Sequence, residues 1–144
     1  MKNIKGYSLV FSQFFLILIM LLPLGTPTSN FYLGLPIIII GLLIGALALY
    51  ANRFFNIRPD IKESASLVTT GIYSYIRHPM YSAVLMVMLG VTLLYPQTFI
   101  LVSYALLLII LVIKLSYEES LWKEQGSEYL EYMKTTKRLV PFIF

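Results

Sequence analysis

The residues best suited to chemistry stand in two short strings. The first is Leu67-Val68-Thr69-Thr70-Gly71-Ile72-Tyr73-Ser74-Tyr75-Ile76-Arg77-His78-Pro79-Met80-Tyr81, where an arginine and the chain's sole histidine directly precede a proline. Proline suits the first position of a helix, where its missing N–H is not needed. The start of such a helix offers unpaired backbone donors and a positive dipole end, which fits a carboxylate or a phosphate. A plainer reading is that Arg77 snorkels to lipid headgroups. The second string is Lys114-Leu115-Ser116-Tyr117-Glu118-Glu119. Lys114 and Glu118 are four apart and share one helix face, whereas Glu119 points about 100° away. Its plainer reading is a solvated helix end with one ordinary salt bridge, worth roughly 0.3–0.5 kcal/mol.

Little else competes for a chemical role. The chain has no cysteine, which excludes disulfides, thiolate metal sites and cysteine nucleophiles together, and no metal site is expected. The net charge is +4. In a soluble protein that excess would suggest nucleic acid, but here the basic residues flank apolar runs, which is the topology signal of a membrane protein. No nucleic-acid partner is expected.

The elements that must position these strings follow from the distribution of charge. Of 144 residues, 58% are hydrophobic and 12% charged, about half the charged share of an ordinary soluble domain. No Asp, Glu, Lys or Arg occurs from Gly6 to Asn52 or from His78 to Ile113. The expected fold is therefore all-α: one domain over residues 1–144, an integral membrane bundle of four transmembrane helices and a C-terminal interfacial helix. The spans are placed at about residues 7–24, 32–50, 79–94 and 97–114, since about 20 apolar residues cross the bilayer core. Lys2 and Lys5 before an apolar run also resemble a secretory signal, but no Ala-x-Ala cleavage site follows, so a retained span is expected. Gly41 and Gly45 form a small-xxx-small pair, read as packing within the bundle rather than as a dimer contact; the chain is expected to be a monomer or a homodimer.

All 11 basic residues fall on one side of these spans, so both termini are expected in the cytoplasm, the cell membrane being the expected location. The cytoplasmic parts are then the segment 53–78 and the tail 115–144. Tyr95-Pro96-Gln97 turns the third span into the fourth. Counted from that turn, His78 and Glu118 differ in height by only ~8 Å, close enough for one interfacial pocket. The fourth helix is expected to continue to about Lys134, and the stretch from Leu121 onward, with Trp122, Tyr129, Tyr132 and Met133, to lie in the interface as a cap on that pocket. A surface anchor without a pocket role is the alternative. Leu139 to Phe144 is expected to dock back on the bundle.

Taken together, Gly71, Tyr73, Arg77, His78, Pro79 and Tyr81, the acidic pair, Gly126-x-x-Tyr129-x-x-Tyr132, Arg138 and Pro141 resemble the isoprenylcysteine carboxyl methyltransferase family, with its phospholipid methyltransferase-like relatives. The resemblance covers Ser66 to Pro141. It implies a multi-span membrane enzyme that uses S-adenosylmethionine, with cofactor contacts from Leu67, Val68, Tyr73, His78, Pro79, Met80 and Tyr81. Aligning Leu121 and Gly126 places the family's cofactor glutamate at Glu118. The family's acceptor-binding arginine falls on Lys114, and Ala65 stands where eukaryotic members have histidine. Lysine keeps the charge and loses the bidentate fork. Arg77 and Glu118 are the residues expected at the reacting groups, and Lys114 and Arg138 those expected at the acceptor's polar head.

The lipophilic acceptor, expected to enter from the bilayer among the membrane lipids, is read as an isoprenylcysteine-type carboxylate or a related amphiphile. A carboxylate is already ionised at neutral pH, whereas an ammonium must first lose a proton. Two other readings compete. Membrane sterol reductases have a related C-terminal core and use NADPH, though they carry further spans; a non-catalytic membrane protein could also keep the motif for structure.

Overall fold

The structure is a computed structural model and describes residues 2–22, 31–52 and 67–141. It is all-α. The helices are α1 (Lys2–Met20), α2 (Phe31–Ala51), α3 (Pro79–Leu94), α4 (Thr98–Gln125) and α5 (Ser127–Thr135), with a short 3₁₀ turn at Gly71–Ser74. Among the described residues there is no strand, only an isolated parallel bridge between Ile76 and Lys137. Helices α2 and α4 are long and apolar enough to cross a membrane, and two shorter apolar helices cover Ile4–Met20 and Pro79–Leu94. Most of the segment 53–78, including Arg53, Arg58, Lys62, Ala65 and Ser66, lies outside the described residues, as do Pro23 to Asn30 and residues 142–144.

Helix α2 is apolar on every side, and it meets α3 backbone to backbone. A Cβ on Gly90 would fall 2.7 Å from the Gly34 carbonyl oxygen, and one on Gly41 would fall 2.9 Å from the Val87 nitrogen. Absent side chains are what let the two helices touch. Gly45 faces the same helix more loosely, 3.4 Å from Ala83 Cβ, so the small-residue face is used inside the chain.

The hairpin between α3 and α4 forms where expected. The Tyr95 N–H donates to the Val91 carbonyl at 2.9 Å, and the Gln97 carbonyl accepts from Ile100 and Leu101 at 3.0 Å each. Helix α1 packs along α4. The shared core is Leu16 and Met20 from α1, Tyr81, Leu85 and Met88 from α3, and Ile100, Leu107, Leu111 and Leu115 from α4, the four-residue steps of one helix face. Leu139 joins this core, so the return of the chain's end to the bundle is met at the one core position described there. Outward, Phe11, Phe15, Leu18, Leu42, Leu43, Val102 and Ile109 are exposed, far more apolar surface than a protein in water leaves open.

Two boundaries differ from expectation. α1 is helical from Lys2 rather than from Tyr7 and ends at Met20. The fourth helix does not continue to Lys134: it stops at Gln125, and Gly126, with φ 158° and ψ 175°, starts α5 as a separate helix. These angles lie in a region that essentially only glycine adopts, and here they let the tail fold back across the start of α3.

Candidate functional site

Three constraints fix the start of α3. Pro79 at its first turn disfavours a helical conformation for the residue before it, and His78 adopts φ −123°, ψ 57°. Upstream, Gly71 opens the 3₁₀ turn with φ +62°, where a Cβ would be strained and would meet Ala51 Cβ at 3.3 Å. The C-terminal segment then runs beside residues 75–78. Arg77 N–H donates to the Lys137 carbonyl at 2.7 Å, His78 N–H to Arg138 at 3.0 Å, and Lys137 N–H to Tyr75 at 3.1 Å. Ser82 Oγ donates to the Leu139 carbonyl at 2.6 Å.

Glu119 stands at the centre of the charges gathered there and is 1% exposed. Its Oε1 accepts from Arg77 Nε at 2.9 Å, and its Oε2 from Arg138 through Nε at 3.1 Å and Nη2 at 3.0 Å. Arg77 Nη1 donates to the carbonyls of Met133 and Thr136 at the end of α5, where a cation suits exposed carbonyls and the helix dipole. His78 Nε2 is buried without a hydrogen bond and lies 3.4 Å from Glu119 Oε1. Burial alone would raise the Glu119 pKa. The contacts of His78 and Arg77 outweigh it and hold the carboxyl at about 2, against an ordinary 4.5.

Glu118 has a different environment. Its side chain is 18% exposed and its Oε2 lies 3.8 Å from His78 Nδ1, while its Oε1 accepts from the Tyr81 hydroxyl at 2.5 Å. The rings of His78 and Tyr81 are parallel, 5.4 Å apart. One histidine thus has a carboxylate near each nitrogen, one fully buried and one partly exposed. Tyr73 is half-buried, its phenol held neutral by burial and by the Glu118 charge, and its carbonyl accepts from the Tyr132 hydroxyl at 2.6 Å. Burial, followed by the Glu119 charge, likewise raises the Tyr129 phenol, which stacks on Trp122 at 5.9 Å.

Of the residues singled out from the sequence, Tyr73, Arg77, His78, Pro79, Tyr81, Glu118 and Arg138 come together around the start of α3. Leu67, Val68 and Met80 are half-buried and, among the described residues, make no polar contact with the cluster. Lys114 does not pair with Glu118 as an ordinary surface salt bridge. It is 3% exposed, donates to Gln13 Oε1 on α1 at 2.9 Å, and lies 4.9 Å from the Tyr81 ring centroid. Sequence reasoning missed Glu119 and Gln13. The only signal for Glu119 was its place in an acidic pair, and Gln13 was signalled only as an amide inside an apolar run.

A family model described as "Phospholipid methyltransferase" matches residues 29–125, which takes in α2, α3 and α4. The chain is 34% identical over 117 residues to a "Probable protein-S-isoprenylcysteine O-methyltransferase" of Oryza sativa subsp. japonica, covering 78% of this chain and 61% of that protein. It is 32% identical over 120 residues to "Protein-S-isoprenylcysteine O-methyltransferase B" of Arabidopsis thaliana, covering 80% and 60%. The matched region therefore spans about three fifths of the length of these relatives.

Proposed function

The chain belongs to the phospholipid methyltransferase family, and from that membership we propose that it is a membrane enzyme moving a methyl group from S-adenosylmethionine to a lipophilic acceptor at the cytoplasmic interface. Its apolar helices and its relatives support an integral membrane protein. In this reading α1 to α4 all span the bilayer, with both termini in the cytoplasm, and the whole chain is one domain.

The observation that carries the proposal is the half-open Glu118 carboxylate beside His78 and Tyr81 at the start of α3. S-adenosylmethionine presents an ammonium, a carboxylate, an adenine and a sulfonium, and the residues present suit these groups. Beyond the Tyr81 hydrogen bond, Glu118 keeps acceptor capacity for an ammonium. The first turn of α3 suits a carboxylate, and the neutral Tyr73 ring suits a flat base or a cation. Leu67, Val68, Pro79 and Met80 supply apolar wall. When bound, the cofactor brings a methyl group already activated on sulfur.

The protein's own task is to hold the acceptor in line with that methyl and to exclude water. An acceptor carboxylate needs no base, which fits a site whose only histidine is held between two carboxylates. Lys114 and Arg138 are proposed to meet its polar head. Arg77 donates through Nε to Glu119 and through Nη1 to the end of α5, so in this reading it acts by holding the start of α3 in place.

The test is transfer of a labelled methyl from S-adenosylmethionine by the full chain in nanodiscs, offered an S-prenylcysteine, a phospholipid amine and a small amphiphilic carboxylate. Label in an ester supports the carboxylate reading, and label confined to amines contradicts it. NADPH oxidation in place of methyl transfer would move the assignment to the reductases.

A further inference from the structure

Gln13 is the only amide side chain between Asn3 and Asn30. It lies about 16 Å along α1 from Lys2, is 6% exposed, and precedes the segment that the family model matches. A polar side chain at such a place is costly unless it is paired, and it commonly marks function. Its partner is the Lys114 ammonium, at 2.9 Å.

The chemistry of this pair is unusual in one respect. A buried ammonium ordinarily takes a carboxylate. The carboxylate on its own helix face, Glu118, instead accepts from Tyr81. Among the described residues, no ion pair joins Lys114 to an acid. An amide oxygen and an aromatic face hold the cation in place, and the Glu118 charge acts on it through space rather than in a contact ion pair.

We propose that Gln13 is a positioning residue: it keeps the Lys114 ammonium un-neutralised beside Tyr81, so that this ammonium selects a ligand with an anionic head over its uncharged counterpart. Calling that ligand the methyl acceptor rests on the methyltransferase reading. The charge preference itself does not.

The experiment measures binding, without cofactor, of an S-prenylcysteine free acid and of its methyl ester to the full chain in nanodiscs. The wild type should bind the acid at least about tenfold more tightly than the ester, as expected for one charge-assisted contact. Gln13→Glu places a carboxylate against Lys114 and should bring the two ligands within about twofold of each other, with ester affinity unchanged. Gln13→Met, which keeps the length and loses the hydrogen bond, should weaken the acid alone. Equal binding of acid and ester by the wild type overturns the proposal. So does a Gln13→Glu protein that keeps the preference, or variants that weaken both ligands together, the signature of a purely structural role. S-adenosylmethionine binding is measured on the same samples. If it is absent while the acid preference is present, the methyltransferase reading falls and the charge site stands.

Discussion

Glu118 and Glu119 are adjacent on α4 and flank the same imidazole, with Glu118 near His78 Nδ1 at 3.8 Å and Glu119 near Nε2 at 3.4 Å. One is partly open, and the other is enclosed by Arg77 and Arg138. The two carboxylates should therefore fail in different ways when neutralised.

Glu119→Gln removes the counter-charge of a buried guanidinium. Breaking a buried pair in this way costs about 3–5 kcal/mol, so thermal unfolding in detergent should fall sharply. Arg138→Ala should cost less, since Arg138 is 32% exposed and solvent screens its share.

Glu119 also sets an acid limit on stability. Its folded pKa of about 2 lies below its ordinary 4.5. A depressed carboxyl contributes stability that is complete above the ordinary value and is lost as pH falls toward the folded one. The contribution is about 3 kcal/mol. Unfolding temperature should hold between pH 7 and 6 and drop between pH 5 and 2, and Glu119→Gln should flatten the part of that drop owed to this group.

Arg77→Lys keeps the charge and discards the planar fork that reaches both Glu119 and the carbonyls ending α5. Lysine cannot span both. Proteolysis of the C-terminal tail should quicken in this variant, whereas an unchanged cleavage rate would show that the tail is held by other contacts.

The contact between α2 and α3 predicts a graded glycine series. Gly90→Ala and Gly41→Ala force a methyl against backbone at 2.7 and 2.9 Å and should each cost about 1–3 kcal/mol, the range for overpacking. Gly45→Ala meets Ala83 at an ordinary 3.4 Å and should unfold near the wild-type temperature.

Much of this arrangement was legible in the sequence because its signals are local. Charge-free runs mark the apolar helices, Pro79 marks the start of α3, and Tyr95-Pro96-Gln97 marks the hairpin that brings His78 to Glu118. The division of labour between the two glutamates was not legible. It depends on where Arg138 lands after the chain breaks at Gly126, and a break between two amphipathic stretches has no periodicity of its own. Gln13 was hidden for the same reason, since its partner lies 101 residues away and only tertiary packing joins them.

If Glu118 faces a cofactor while Glu119 holds the fold, calorimetric titration of S-adenosylmethionine into the full chain in nanodiscs will separate the two roles. The wild type should bind saturably, and Glu118→Gln should bind at least about tenfold more weakly through loss of a charge-assisted contact, with an unfolding temperature near the wild-type value. No saturable binding by the wild type, or undiminished binding by a folded Glu118→Gln protein, would contradict this division of roles.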